Sequence, residues 1–97
     1  MLDTEFIELV QKIKELCFHT NSTISVAESC TGGMLAAYLT SVSGSSEYFT
    51  CGIVSYSNDA KTNMLAVSKQ SLKELGAVSE EVAKEMAVGV KSVSSSD

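Results

Sequence analysis

Twice in this chain a short run of β-branched or aromatic residues ends in a polar cluster and passes straight into a helix-like run. The first is Thr23 to Ala27, followed by Glu28-Ser29-Cys30-Thr31-Gly32-Gly33 and then Met34 to Leu39. The second is Tyr48 to Tyr56, followed by Ser57-Asn58-Asp59 and then Ala60 to Leu65. A strand that feeds a helix rejoins its own sheet by a crossover, so this order predicts an α/β fold with a parallel pair at its centre. It also predicts where chemistry belongs. Strand ends leave a crevice there, and the first N–H groups of each following helix have no intrahelical partners.

The rest of the chain supplies cover for those strands. Phe6, Val10, Ile13 and Cys17 recur at helical spacing within Glu5 to Phe18, with charged residues opposite, which predicts an amphipathic helix. His19 to Ser22 carries turn chemistry, and Ser41 to Ser46 breaks the helix after Leu39. Gly52 is expected to weaken the second strand. Ser68 to Leu75 reads as a helix closed by Gly76, and Ser79 caps a longer one with Val82, Met86 and Val90 on one face and Val93 near it. The serines before Asp97 offer nothing to a core. Two strands are few for a parallel sheet, so further strands are expected from a longer parent chain or from another subunit.

A length of 97 residues bounds the chain to one small domain, 1–97. The net charge of −5 argues against general affinity for nucleic acid, which needs clustered Lys and Arg. No apolar run is long enough for a bilayer, and the acidic start Met1-Leu2-Asp3-Thr4-Glu5 is unlike a basic signal peptide, so no membrane partner and a cytoplasmic location are expected. Cys17, Cys30 and Cys51 are odd in number and lack a CxxC pair, which points away from a disulfide framework and from a zinc site.

Ser29 stands at the first junction as a nucleophile in need of a base. His19, the one histidine, lies at the far end of the strand that delivers Ser29, roughly 20 Å away for a strand of this length. The glycine-flanked elbow of the α/β-hydrolases is absent, because Ala27 stands where its first glycine belongs. Lys61, one turn into the helix after the second strand, would rise beside Ser29 in a parallel sheet, and a lysine in a partly dry pocket can serve as base. Each residue also has a plainer role. Ser29 is equally an N-cap, Lys61 a solvated helix lysine, and Cys30 a small buried hydrophobe rather than a reactive thiol. Thr31, Gly32 and Gly33 either offer N–H groups to a phosphate or oxyanion, or only permit a tight turn. Tyr56, Ser57 and Asn58 close the second strand near the same rim.

Four segments together carry a resemblance: Val26-Ala27-Glu28-Ser29-Cys30-Thr31-Gly32-Gly33, Ser43-Gly44-Ser45-Ser46-Glu47-Tyr48-Phe49, Val54-Ser55-Tyr56-Ser57-Asn58-Asp59-Ala60-Lys61 and Gly76-Ala77-Val78-Ser79-Glu80-Glu81-Val82-Ala83. In this order, over nearly the whole chain, they resemble the CinA C-terminal domain family of nicotinamide-nucleotide amidohydrolases. The resemblance implies a three-layer α/β/α fold with a mostly parallel sheet. It implies hydrolysis of the carboxamide of nicotinamide mononucleotide to nicotinate mononucleotide and ammonia, with no metal and no cofactor, in a protein that forms homodimers. It implies Ser29 as nucleophile, Lys61 as general base and Tyr56 as a supporting aromatic. Cys30, Thr31, Gly32, Gly33, Ser57 and Asn58 are then expected around the substrate and its oxyanion. The family continues into a further strand and a TGIAGP-type loop, so the domain is expected to be truncated here before its last strands. The alternative expectation is a non-catalytic nucleotide-binding or assembly module of the same family.

Overall fold

The first helix outlasts its sequence signal. In the computed structural model, which describes residues 2–97, α1 spans Thr4–Thr20 and takes up His19 and Thr20 instead of ending before them. The Thr20 hydroxyl donates to the Leu16 carbonyl, and Asn21 then turns left-handed (φ 52°) with its N–H on the Cys17 carbonyl. This stop needs no glycine, because Asn tolerates the left-handed region.

The strand β1 (Ile24–Glu28) leads through the polar turn into α2 (Met34–Leu39), and β2 (Phe49–Val54) leads into α3 (Asn58–Leu65). A short 3-10 turn at Ser45–Glu47 precedes β2, and α4 (Lys69–Leu75) and α5 (Glu80–Ser94) complete the chain. Ser57, Ser68 and Ser79 each accept an N–H of the helix they precede; Ser79 does so as expected, while Ser68 stands before its helix rather than opening it. Tyr48 and Tyr56 fall outside β2. Tyr48 is instead buried, its hydroxyl donating to the Leu39 carbonyl.

β1 and β2 pair in parallel, with helices on both faces. On one face α3, the connection after it and α5 bring Leu65, Val67, Val82, Met86 and Val90 against Ala27, Cys51 and Ile53, with Leu72 of α4 beside them. On the other, α1 and the segment around Tyr48 bring Val10, Cys17, Val42 and Tyr48 against Ile24 and Phe49. Phe49 and Cys51, two apart in one strand, would ordinarily share a face. A bulge resolves this: Ile24 pairs with Phe49 but Ser25 with Cys51, so one extra residue lets Phe49 and Cys51 serve opposite cores.

Gly52 is a seat for α2 rather than a weak point. A Cβ there would lie 3.2 Å from the Ala36 Cβ, closer than packed side chains sit. Two other expectations are corrected. Val93 is exposed on α5, and the face is completed by Gly89. The terminal serine run is also ordered: the Asp97 carboxylate accepts the Thr23 N–H at 2.9 Å, and the buried Ser96 hydroxyl bonds that of Ser25. These groups pair with polar atoms at the start of β1. Among the described residues no helix is long and apolar enough to cross a membrane.

Candidate active site

The register brings the two strand ends level. Glu28 pairs with Val54, and the Ser55 N–H donates to the Glu28 carbonyl at 2.9 Å, so Ser29 leaves the sheet beside Ser55 and Tyr56. One turn into α3, Lys61 folds back over the end of β2 and is 1% exposed. Its Nζ donates to Ser29 Oγ at 2.9 Å, to the Ser55 carbonyl at 2.9 Å and to the Tyr56 carbonyl at 3.0 Å. The solvated helix lysine is thereby corrected to a buried one. Three acceptors compensate the ammonium for lost water, which burial requires.

The geometry has a chemical consequence. A neutral amine has two N–H bonds and one lone pair. If the two N–H bonds keep the two backbone carbonyls, tetrahedral geometry aims the lone pair at the Ser29 hydroxyl. The carbonyls therefore act as an orienting fork for Nζ.

Glu28, absent from the predicted site, organises the turn that carries Ser29. It is buried, and its carboxylate accepts the Thr31 hydroxyl at 2.7 Å, the Leu35 N–H at 2.9 Å and the Ala36 N–H at 3.0 Å. A strand residue thus caps α2, whose own N-cap is Gly33 and has no side chain to do so. Burial pushes the Glu28 carboxyl upward, but the bonds from Ala36, Thr31 and Leu35 outweigh it and hold the group below its usual 4.5. The sequence held a signal for this: an acidic residue before a helix that starts with glycines.

Glu28→Gln should cost about 1–2 kcal/mol at neutral pH, since the amide cannot accept on both sides. The folded-state value lies below the unfolded one. The charge therefore contributes stability above pH 4.5, and this is lost as pH falls through the folded value. Urea melts of both proteins should accordingly converge on acidification. A gap that widens in acid would contradict the cap.

The other expected site residues take varied places. The Gly32 N–H donates to the Ser29 carbonyl, and Glu28 takes the Leu35 and Ala36 donors, so these three N–H groups are already occupied. Gly32 (φ 61°) and Gly33 (φ 105°) serve the turn itself, both in the left-handed region. Among the described residues, the N–H groups of Cys30 and Thr31 make no hydrogen bond, and they flank Ser29 on its C-terminal side. Tyr56 reaches Lys61 through its carbonyl, while its ring is 72% exposed. The Ser57 hydroxyl is occupied as the cap of α3, and Asn58 lines a separate cleft with Asp59, Thr62 and Lys69.

Cys30 is exposed rather than buried, whereas Cys17 is buried. A thiol reagent should label Cys30 in the native protein and Cys17 only on unfolding, and Cys30→Ser should remove the fast phase. Equal labelling rates for both thiols would overturn this placement. Cys30 and Ser29 share a cleft of about 500 Å³ with Thr31, Leu35, Val78 and Met86.

The model of the CinA C-terminal domain matches residues 7–97. The chain belongs to the CinA C-terminal domain family. A CinA-like protein of Chlorobium limicola is 53% identical over 89 residues, covering 92% of this chain and 21% of the relative. A CinA-like protein of Nostoc is 51% identical over 83 residues, covering 86% of this chain and 20% of the relative. Among solved structures, the competence/damage inducible protein CihA from Agrobacterium tumefaciens superposes with a TM-score of 0.95 at 38% identity, covering 99% of this chain and 58% of that one. A competence-damaged protein (CinA) superfamily protein from Escherichia coli gives a TM-score of 0.93 at 33% identity, covering 100% of this chain and 58% of that one. The chain thus spans about a fifth of the curated CinA relatives, at 20% and 21%, and 58% of these solved chains.

Proposed function

We propose that this chain carries the Ser/Lys centre of an amidohydrolase acting on the carboxamide of nicotinamide mononucleotide, in the cytoplasm and as a homodimer. One observation carries the reading: Lys61 Nζ lies 2.9 Å from Ser29 Oγ and is held there by two backbone carbonyls. Lys61 takes the hydroxyl proton as Oγ bonds to the carboxamide carbon. The N–H groups of Cys30 and Thr31 are the donors nearest in sequence for the oxyanion that forms. The C–N bond then breaks, and Lys61 returns the proton to the departing ammonia. Water next attacks the acyl-serine, gives its proton to Lys61, and releases nicotinate mononucleotide as that proton goes back to Ser29.

The test is ammonia release from nicotinamide mononucleotide by the chain and by Ser29→Ala. Loss of release by about 10³-fold or more in the variant supports the reading. Equal rates remove Ser29 from the mechanism.

A second reading has an observation of its own. Two of the three Lys61 bonds go to backbone carbonyls, as in a structural pin joining β1, β2 and α3. On that reading the chain is a non-catalytic nucleotide-binding or assembly module. Calorimetric binding of the nucleotide without ammonia release would favour it.

A further inference from the structure

The turn that carries Ser29 is pinned at two points by side chains, and two unpaired N–H groups lie between them. At one end Ser29 Oγ accepts from Lys61 Nζ at 2.9 Å; at the other the Thr31 hydroxyl donates to the buried Glu28 carboxylate at 2.7 Å. The Gly32 N–H closes the turn on the Ser29 carbonyl at 3.0 Å, which makes Cys30 and Thr31 its two central residues. Their N–H groups belong to the two peptide planes strung from the Ser29 Cα to the Thr31 Cα, so the pins at either end set the tilt of both planes. Past Thr31 the chain has little stiffness of its own: Gly32 and Gly33 follow at φ 61° and 105°, with no side chain to tether. Glu28 is in turn held by the Leu35 and Ala36 N–H groups, so the Thr31 bond fastens the turn to the start of α2 as well as to the end of β1.

We infer that Thr31 is a positioning residue: its hydroxyl, clamped on Glu28, aims the Cys30 and Thr31 N–H groups at the oxyanion that forms when Ser29 Oγ attacks an acyl carbon. This inference rests on the reading of Ser29 as nucleophile. Oxyanion donors act by standing in place before the charge develops, and removing one costs about 10²–10³ in rate. Without the Thr31 bond the second pin is gone, and both planes tilt about the glycines.

The test uses the full chain, Thr31→Val and Thr31→Ser with p-nitrophenyl acetate and its thiono analogue, in which sulfur replaces the carbonyl oxygen. With either ester Ser29 Oγ bonds to the acyl carbon, p-nitrophenolate leaves with the bonding pair, and Lys61 takes the hydroxyl proton. Sulfur is a weak acceptor, so aimed donors favour the oxygen ester and misaimed ones favour it less. Valine keeps the shape of threonine and removes the hydroxyl. The measurements are p-nitrophenolate release and the mass of acylated Ser29. The oxygen-to-sulfur rate ratio should fall about tenfold or more in Thr31→Val and recover in Thr31→Ser. An unchanged ratio in Thr31→Val, with Ser29 still acylated, overturns the positioning role alone. So does an equal loss on both esters, which is what a loosened fold would give, or a fall in the ratio that Thr31→Ser leaves unrepaired. A wild type whose Ser29 reacts with neither ester overturns the nucleophile reading, and the positioning role with it.

Discussion

Gly89→Ala is expected to lower stability by about 3 kcal/mol, which in a domain of this size moves the thermal midpoint down by roughly 10–20 °C. At a free helix position the same change would stabilise by up to about 1 kcal/mol, so the sign of the effect is itself the test. The reason is a close crossing. A Cβ on Gly89 would fall 2.1 Å from the Leu65 carbonyl oxygen and 2.8 Å from its carbon, and both are backbone atoms that no rotamer change can move aside. α3 must therefore back away from α5. Lys61 lies one turn before Leu65 on the same buried face of α3, so the displacement reaches Nζ and its bond to Ser29. A thermal melt of Gly89→Ala that matched or exceeded the wild type would refute the crossing.

Lys61→Met should fail in two measurements at once. The thioether keeps the length of the side chain but offers no donors, leaving the carbonyls of Ser55 and Tyr56 without their partner in a buried place. A stability loss on the order of 3 kcal/mol follows from two stranded acceptors. Ammonia release, under the proposed mechanism, should fall about 10²–10⁴-fold, the range for losing a positioned base. Ser29→Ala provides the contrast, because it removes one acceptor of the ammonium and leaves both carbonyls paired. Its melt should lie close to that of the wild type while its activity is lost. If Lys61→Met melts like the wild type, the fork of carbonyls does not hold the lysine. If it keeps its activity, Lys61 is a pin and no more.

The elements with the strongest local chemistry were the most legible. The cluster at Ser57 and the cap Ser79 announced two helix starts, and Gly76 the end of α4, because a cap acts within one turn of the chain. The limits of β2 were harder to see. Tyr48 and Tyr56 have the composition of strand residues, but one is drawn into the core under α1 and the other leads out to the rim, and neither outcome is written locally. Cys30 misled for a similar reason. The frequency with which cysteine is buried says nothing about a turn whose outward side is a cleft. The role of the glycines at 32 and 33 was legible as a turn. What their N–H groups meet was not legible: Gly32 donates to the Ser29 carbonyl, and just beyond, Glu28 takes the Leu35 and Ala36 donors.

By itself the sequence determined the order of elements, the parallel sense of the two strands and the family. Each of these follows from patterns that run along the chain: periodicity, caps and the spacing of junctions. Only the tertiary structure decided that Lys61 is buried, that Glu28 closes α2 from across the turn, and that Gly89 is where α5 admits the backbone of α3. Ser29 and Lys61 stand 32 positions apart and meet through one crossover and one register. Such a meeting depends on how strands and helices pack around a shared core, which no stretch of sequence shorter than the crossover contains.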